Sequence, residues 1–155
     1  MSAVAKKLEE LNIDLPKASK PAANYIPYTI SGNQVIISGQ IPFVNGSVEG
    51  QVGKLGQNYS IEQGKKVARV CAINVLSQLK EACNGDLSKA RCLRLGVFVN
   101  STPDFTEHPA VANGASDLIA EVFGENGKHA RAAVGVAALP FGVAVEVEAT
   151  FELIK

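Results

Sequence analysis

Arg131, Glu146 and Glu148 stand in an otherwise apolar stretch, residues 129–149, built of two runs around Leu139-Pro140-Phe141-Gly142. A guanidinium is a fixed positive fork that grips a carboxylate through two parallel hydrogen bonds, and a nearby carboxylate can move a proton to or from water. Val143, Val145, Val147 and Ala149 alternate with Glu146 and Glu148, the period of a half-buried strand, so both acids share one face. In the preceding run, the same counting sets Arg131, Ala133, Gly135 and Ala137 on one side and Ala132, Val134 and Val136 on the other. Arg131 therefore projects from a face of very small residues, open to a ligand or to another chain. Read from the residues alone, a cross-strand ion pair with Glu146 or Glu148 competes evenly with a ligand role for Arg131.

The elements that carry these groups follow from pattern. Ser2 can cap a helix to about residue 12, with Val4, Leu8 and Leu11 on one stripe. A linker over residues 15–23 follows, then strands over 25–30 and 34–38 joined at Ser31-Gly32-Asn33. Ser60 and Gln63 form a capping box that opens the longest helix, which ends at Asn84-Gly85. Alternation of Leu93, Leu95, Val97 and Val99 predicts a strand. Pro109 opens a second main helix with Val111, Ala115, Leu118 and Val122 on one stripe, and Gly124 closes it. The order predicts an α+β layer: a mixed β-sheet with two main helices on one face. The other face, expected to carry Arg131, Glu146, Glu148 and Glu152, then lacks a helix to cover it, and another subunit is the expected cover.

The chain has 155 residues, room for one domain. Residues 1–20 read as an N-terminal helix and linker, and residues 21–155 as a single domain. Fifteen basic and fifteen acidic residues leave no net charge, which argues against nucleic acid or an anionic membrane as the main partner. No apolar run reaches the roughly 20 residues of a membrane span, and the start of the chain lacks the apolar core of a signal peptide, so a cytoplasmic location is expected. Cys71, Cys83 and Cys92 are an odd set without any C-x-x-C pair, and the chain has only two histidines, so neither a disulfide framework nor a zinc site is indicated. All three read as reduced core residues, and no metal is expected. His108 and His129 could exchange protons near neutral pH, but lone histidines are more often surface or cap residues. Gly50, Gly53 and Gly56 read as loop, and no nucleophile-elbow spacing supports a triad of Ser116, His108 and Asp117.

The segments Ile37-Ser38-Gly39-Gln40-Ile41-Pro42 and Ala130-Arg131 through Leu139-Pro140 to Glu146-Val147-Glu148-Ala149 resemble the signatures of the RidA/YjgF reactive intermediate deaminase family. Its members were formerly described as translation inhibitors or perchloric-acid-soluble ribonucleases, and the similarity covers about residues 21–151. The resemblance implies a chorismate-mutase-like fold, a homotrimer with ligand clefts between subunits, and hydrolysis of 2-imino or enamine acids to 2-oxo acids and ammonia without metal or organic cofactor. By the family pattern Arg131 clamps the substrate carboxylate, Glu146 holds or activates the attacking water, and Ser38 and Gly39 line the cleft. Tyr28 matches the family's N-terminal tyrosine at a shorter spacing from Ser38, and Asn113 matches its helix asparagine. Ala133 stands where many members have cysteine, Ser116 where many have an aromatic residue, and His129 where proline is usual. These departures, with the extra N-terminal helix and the His108-Pro109 helix start, point to a longer branch. A non-catalytic trimer that binds small carboxylates is the second expectation, and a ribonuclease, weakened by the neutral charge, is the third.

Overall fold

The computed structural model describes residues 1–20 and 23–154. Pro21 and Ala22, which fall in the expected linker and at its junction with the expected domain, lie outside the described residues. Ser2 caps α1 (Ala3–Glu10), its Oγ accepting from the Ala5 amide at 3.1 Å. Val4, Leu8 and Leu11 turn one stripe of this helix onto the core. The helix ends two residues before Asn12, which takes the left-handed φ of 54° that asparagine tolerates better than most residues.

The hairpin consists of β1 (Tyr28–Ser31) and β2 (Gln34–Gln40), so its first strand starts three residues later than the sequence pattern predicts. The capping box opens α2 (Ile61–Ala82) as expected: Gln63 N donates to Ser60 Oγ at 3.1 Å, and Ser60 N donates to Gln63 Oε1 at 2.8 Å. There follow β3 (Ala90–Asn100), α3 (His108–Phe123) with Pro109 in its first turn, β4 (Ala130–Val136) and β5 (Val145–Leu153). The sheet order is β1-β2-β5-β3-β4; β4 runs parallel to β3, and all other pairs are antiparallel. This is the expected mixed α+β layer. Helices α2 and α3 pack together on one face, over Val35, Ile37, Leu95, Val97, Val99, Val145, Val147 and Phe151, all fully or almost fully buried.

The register corrects one sequence expectation. Arg131 pairs with Leu95, which pairs with Ala149, so Arg131 shares the face that the helices cover. Glu146 pairs with Phe98, and Phe98 with Val134, on the open face. Period-2 counting assigns residues to a common side but does not say which side the helices take when both sides are apolar or small. Glu148 and Glu152 do lie on the open face, where they pair with Arg94 (3.3 Å) and Arg91 rather than with Arg131. The three cysteines are free and buried. No described helix is long and apolar enough to cross a membrane, and no described group of three His, Cys, Asp or Glu residues is placed to hold a metal ion.

Candidate functional site

One cluster forms where the sheet edge meets α3. Asn113 and Ser116 lie three residues apart on α3, hence on the same helical face, and both turn toward β4. Arg131 Nη1 donates to Asn113 Oδ1 at 2.8 Å and to Ser116 Oγ at 3.1 Å. Ser116 Oγ lies 2.9 Å from His129 Nε2, and His129 Nδ1 lies 2.6 Å from the Gly127 carbonyl oxygen. A carbonyl only accepts, so Nδ1 carries a proton. In the neutral ring Nε2 then accepts from the Ser116 hydroxyl, which in turn accepts from Arg131. The guanidinium is thus aimed by two neutral acceptors, and no carboxylate pairs with it among the described residues. Its charge is available to an anionic ligand.

A second cluster forms around the end of β2. Ile37 pairs with Ala149 and Gln40 with Val147, so Ser38 and Gly39 together oppose Glu148: a β-bulge. At Gly39 the Glu146 carboxylate occupies the space that a Cβ would need, so a side chain there would displace it. Ser38 is tied to the segment before β1, its Oγ donating to the Ile26 carbonyl at 2.8 Å and its amide to the Pro27 carbonyl at 2.9 Å. Gly39 and Glu146 border a cavity of about 230 Å³ with Tyr25, Gln40, Phe43 and Phe141 among its walls. Partial burial, then repulsion from Glu148, raise the Glu146 carboxyl above its ordinary value. Phe141 holds a left-handed φ of 58°, rare for a bulky residue, and stands exposed with its ring edge-on to Phe43 at 6.0 Å.

The expected site residues thus divide. Arg131 and Asn113 form one cluster, and Gly39, Glu146 and the adjoining Ser38 the other, on opposite sides of the sheet with β3 between their strands. Tyr28 joins neither: it pairs with Ile37 and packs against the core. Tyr25, three residues earlier, lines the Glu146 cavity instead. The short spacing from Tyr28 to Ser38 was the available signal for this shift. Ser116 and His129, both departures from the family pattern, touch each other and together brace Arg131.

Comparison with known proteins agrees with this fold. Residues 5–152 match the family model described as "YjgF/chorismate mutase-like, putative endoribonuclease". The chain is 53% identical to Protein TCP17 of Trypanosoma cruzi over 97% of this chain and 94% of that one. It is 30% identical to a RutC family protein of Pyrococcus abyssi, covering 86% and 89% of the two chains. The crystal structure of Atu1372 from Agrobacterium tumefaciens, a protein of unknown function, superposes with a TM-score of 0.90 at 47% identity, over 97% of this chain and 92% of that one. With its five-stranded mixed sheet and paired helices, the chain belongs to the YjgF family, also called RidA.

Proposed function

We propose that the protein hydrolyses small 2-imino or enamine acids to 2-oxo acids and ammonia, in clefts between the subunits of a homotrimer. The observation that carries this reading is the guanidinium of Arg131, aimed by neutral Asn113 and Ser116 and without a carboxylate partner among the described residues. Its fork takes the substrate carboxylate. Glu146, half-buried beside the bulge, takes a proton from the attacking water as oxygen bonds to the imine carbon and passes it to the nitrogen; when the resulting carbinolamine collapses, the hydroxyl proton follows the same route to nitrogen as the carbon–oxygen double bond forms. Water adds, the carbon–nitrogen bond breaks, and ammonia leaves, so the balance needs no redox partner. Burial raises this carboxyl above its ordinary value, which makes it a stronger base for taking the proton of water.

Because Arg131 and Glu146 are on opposite sides of one sheet, this chemistry requires the arginine side of one copy to meet the glutamate cavity of another. The homotrimer expected of the family supplies such an encounter. An endoribonuclease reading, suggested by the family description, has less support. The fifteen basic residues are balanced by fifteen acidic ones, and the open sheet face carries Glu146, Glu148 and Glu152.

The test is to generate 2-iminopropanoate and bulkier imino acids with an amino-acid oxidase and to trap the survivors with semicarbazide. Wild type should reduce the trapped imine, and Arg131→Ala should lose about tenfold or more of that activity, the worth of a charge-assisted contact of about 1.5–3 kcal/mol. No effect of the wild type, given an intact trimer, would overturn the deaminase and leave a cleft that only binds small carboxylates.

A further inference from the structure

A different part of the same sheet edge has the features of a ligand site. Where β3 and β4 end, a cavity of about 530 Å³ opens among Lys54, Ser101, Pro103, Phe105, His108 and Val136. It shares no lining residue with the Arg131 cluster or with the Glu146 cavity. Gly135, at its floor, is four residues along β4 from Arg131, about 13 Å at the rise of a strand.

Three polar groups meet there. Lys54 is half-buried, and its Nζ donates to Asn100 Oδ1 at 2.5 Å and to the Ala137 carbonyl at 2.6 Å. These two neutral acceptors use two of the three ammonium protons. Among the described residues no carboxylate pairs with Lys54. Ser101 is 6% exposed, and its Oγ lies 3.3 Å from His108 Nε2. At Gly135, both the imidazole and this hydroxyl occupy the space that a Cβ would need, so only glycine lets them lie against the strand. Phe105 fixes the imidazole from the side, ring edge to ring face at 5.2 Å and 87°.

A half-buried ammonium with a spare proton and no carboxylate partner among the described residues can take an anion through a charge-assisted hydrogen bond. When His108 donates from Nε2 to Ser101, the serine hydroxyl proton is left for a ligand too. Pro103, Phe105 and Val136 give the same cavity an apolar wall. Two aimed donors, one of them charged, next to apolar surface suit an oxyanion carried on a small apolar body.

We propose that this cavity is a second binding site, for a small organic carboxylate or phosphate monoester whose oxyanion sits between Lys54 and Ser101 and whose apolar body rests on Pro103, Phe105 and Val136. The site does not depend on the deaminase reading. It is tested by following the backbone amide resonances of Gly135, Val136, Ala137 and Thr102 while titrating benzoate, phenyl phosphate and neutral benzamide. Saturable shifts with either anion at millimolar concentration or below, and none with benzamide, are expected; the tighter of the two anions identifies the head group. Lys54→Met should weaken binding at least tenfold and Ser101→Ala several-fold, whereas Arg131→Ala should leave it unchanged. Lys54 also braces its loop, so Ser101→Ala and benzamide keep the test decisive if Lys54→Met fails to fold. Benzamide binding as well as benzoate, unchanged midpoints in Ser101→Ala, shifts that vanish only in Arg131→Ala, or no shifts at all would each overturn the proposal.

Discussion

Arg131 and Glu146 project from opposite faces of one sheet, on strands separated by β3. A reaction that uses both therefore draws them from different copies, and two defective chains should repair each other. Arg131→Ala and Glu146→Gln are each expected to lose about tenfold or more of the activity as homotrimers. Mixed trimers formed by co-expression at equal levels should recover about one quarter of wild-type activity, because half of the arginines and half of the glutamates remain and they meet at random. Imine trapping on the mixture measures this; activity no greater than that of either parent would rule out a shared cleft.

Ser116 accepts from Arg131, and on the proposed reading its effect on the substrate passes through that guanidinium. Ser116→Ala removes one acceptor from the guanidinium and the donor to His129, and should raise KM for the imino acid roughly 2- to 10-fold while kcat stays near wild type. Ser116→Thr keeps the hydroxyl and should restore KM. Equal loss in kcat and KM for both variants would point instead to a disturbed fold.

Partial burial and Glu148 raise the Glu146 carboxyl, so the folded state holds that proton more firmly than the unfolded chain does. As pH rises from the unfolded value of about 4.3 through the folded one, the unfolded state releases its proton first and stability falls. Glu146→Gln should therefore stabilise the protein at pH 7, by less than about 1 kcal/mol for a group still partly screened by water, and should have no such benefit near pH 3. Urea midpoints at the two pH values check the sign.

Burial pushes the Cys92 thiol up to about 12 and raises Cys71 as well, again chiefly by burial, with Glu146 adding to it. Above about pH 8.5 the unfolded chain loses these protons while the folded one keeps them, so stability should decline by up to about 1.4 kcal/mol per pH unit for each thiol. Urea unfolding in reductant between pH 8 and 10.5 should show that slope, and Cys92→Ala should lessen it. An identical slope in the variant would assign the loss to other groups.

Most of the frame was legible because its signals are local. Ser60 and Gln63 specify a helix start through contacts three residues apart, and Asn84 and Gly85 follow the end of that helix in left-handed φ of 52° and 90°. The acids of β5 were also legible as a set, since Glu146, Glu148 and Glu152 alternate with core residues. The side on which Arg131 lies was not. Its strand carries small or apolar residues on both faces, so only the parallel pairing with β3, a contact between distant segments, determines which one meets α3. The bulge at Ser38 and Gly39 was hidden for the same reason: it exists only relative to the partner strand β5. The cavity at the end of β4 joins residues from 54 to 137, beyond the reach of any short motif.

Strand β5 lies at the middle of the sheet yet follows every other strand in the chain, and both β2 and β3 hydrogen-bond to it. During synthesis the β1–β2 hairpin and α2 can form from neighbouring residues, but β2 and β3 have no common partner until residues 145–153 leave the ribosome. From the time β3 is made until β5 joins, β2 and β3 each keep one edge without its final partner, and the same strand closes both. Such a long-range closure is slow, and it leaves the unfinished chain dependent on protection from its neighbours until the central strand arrives.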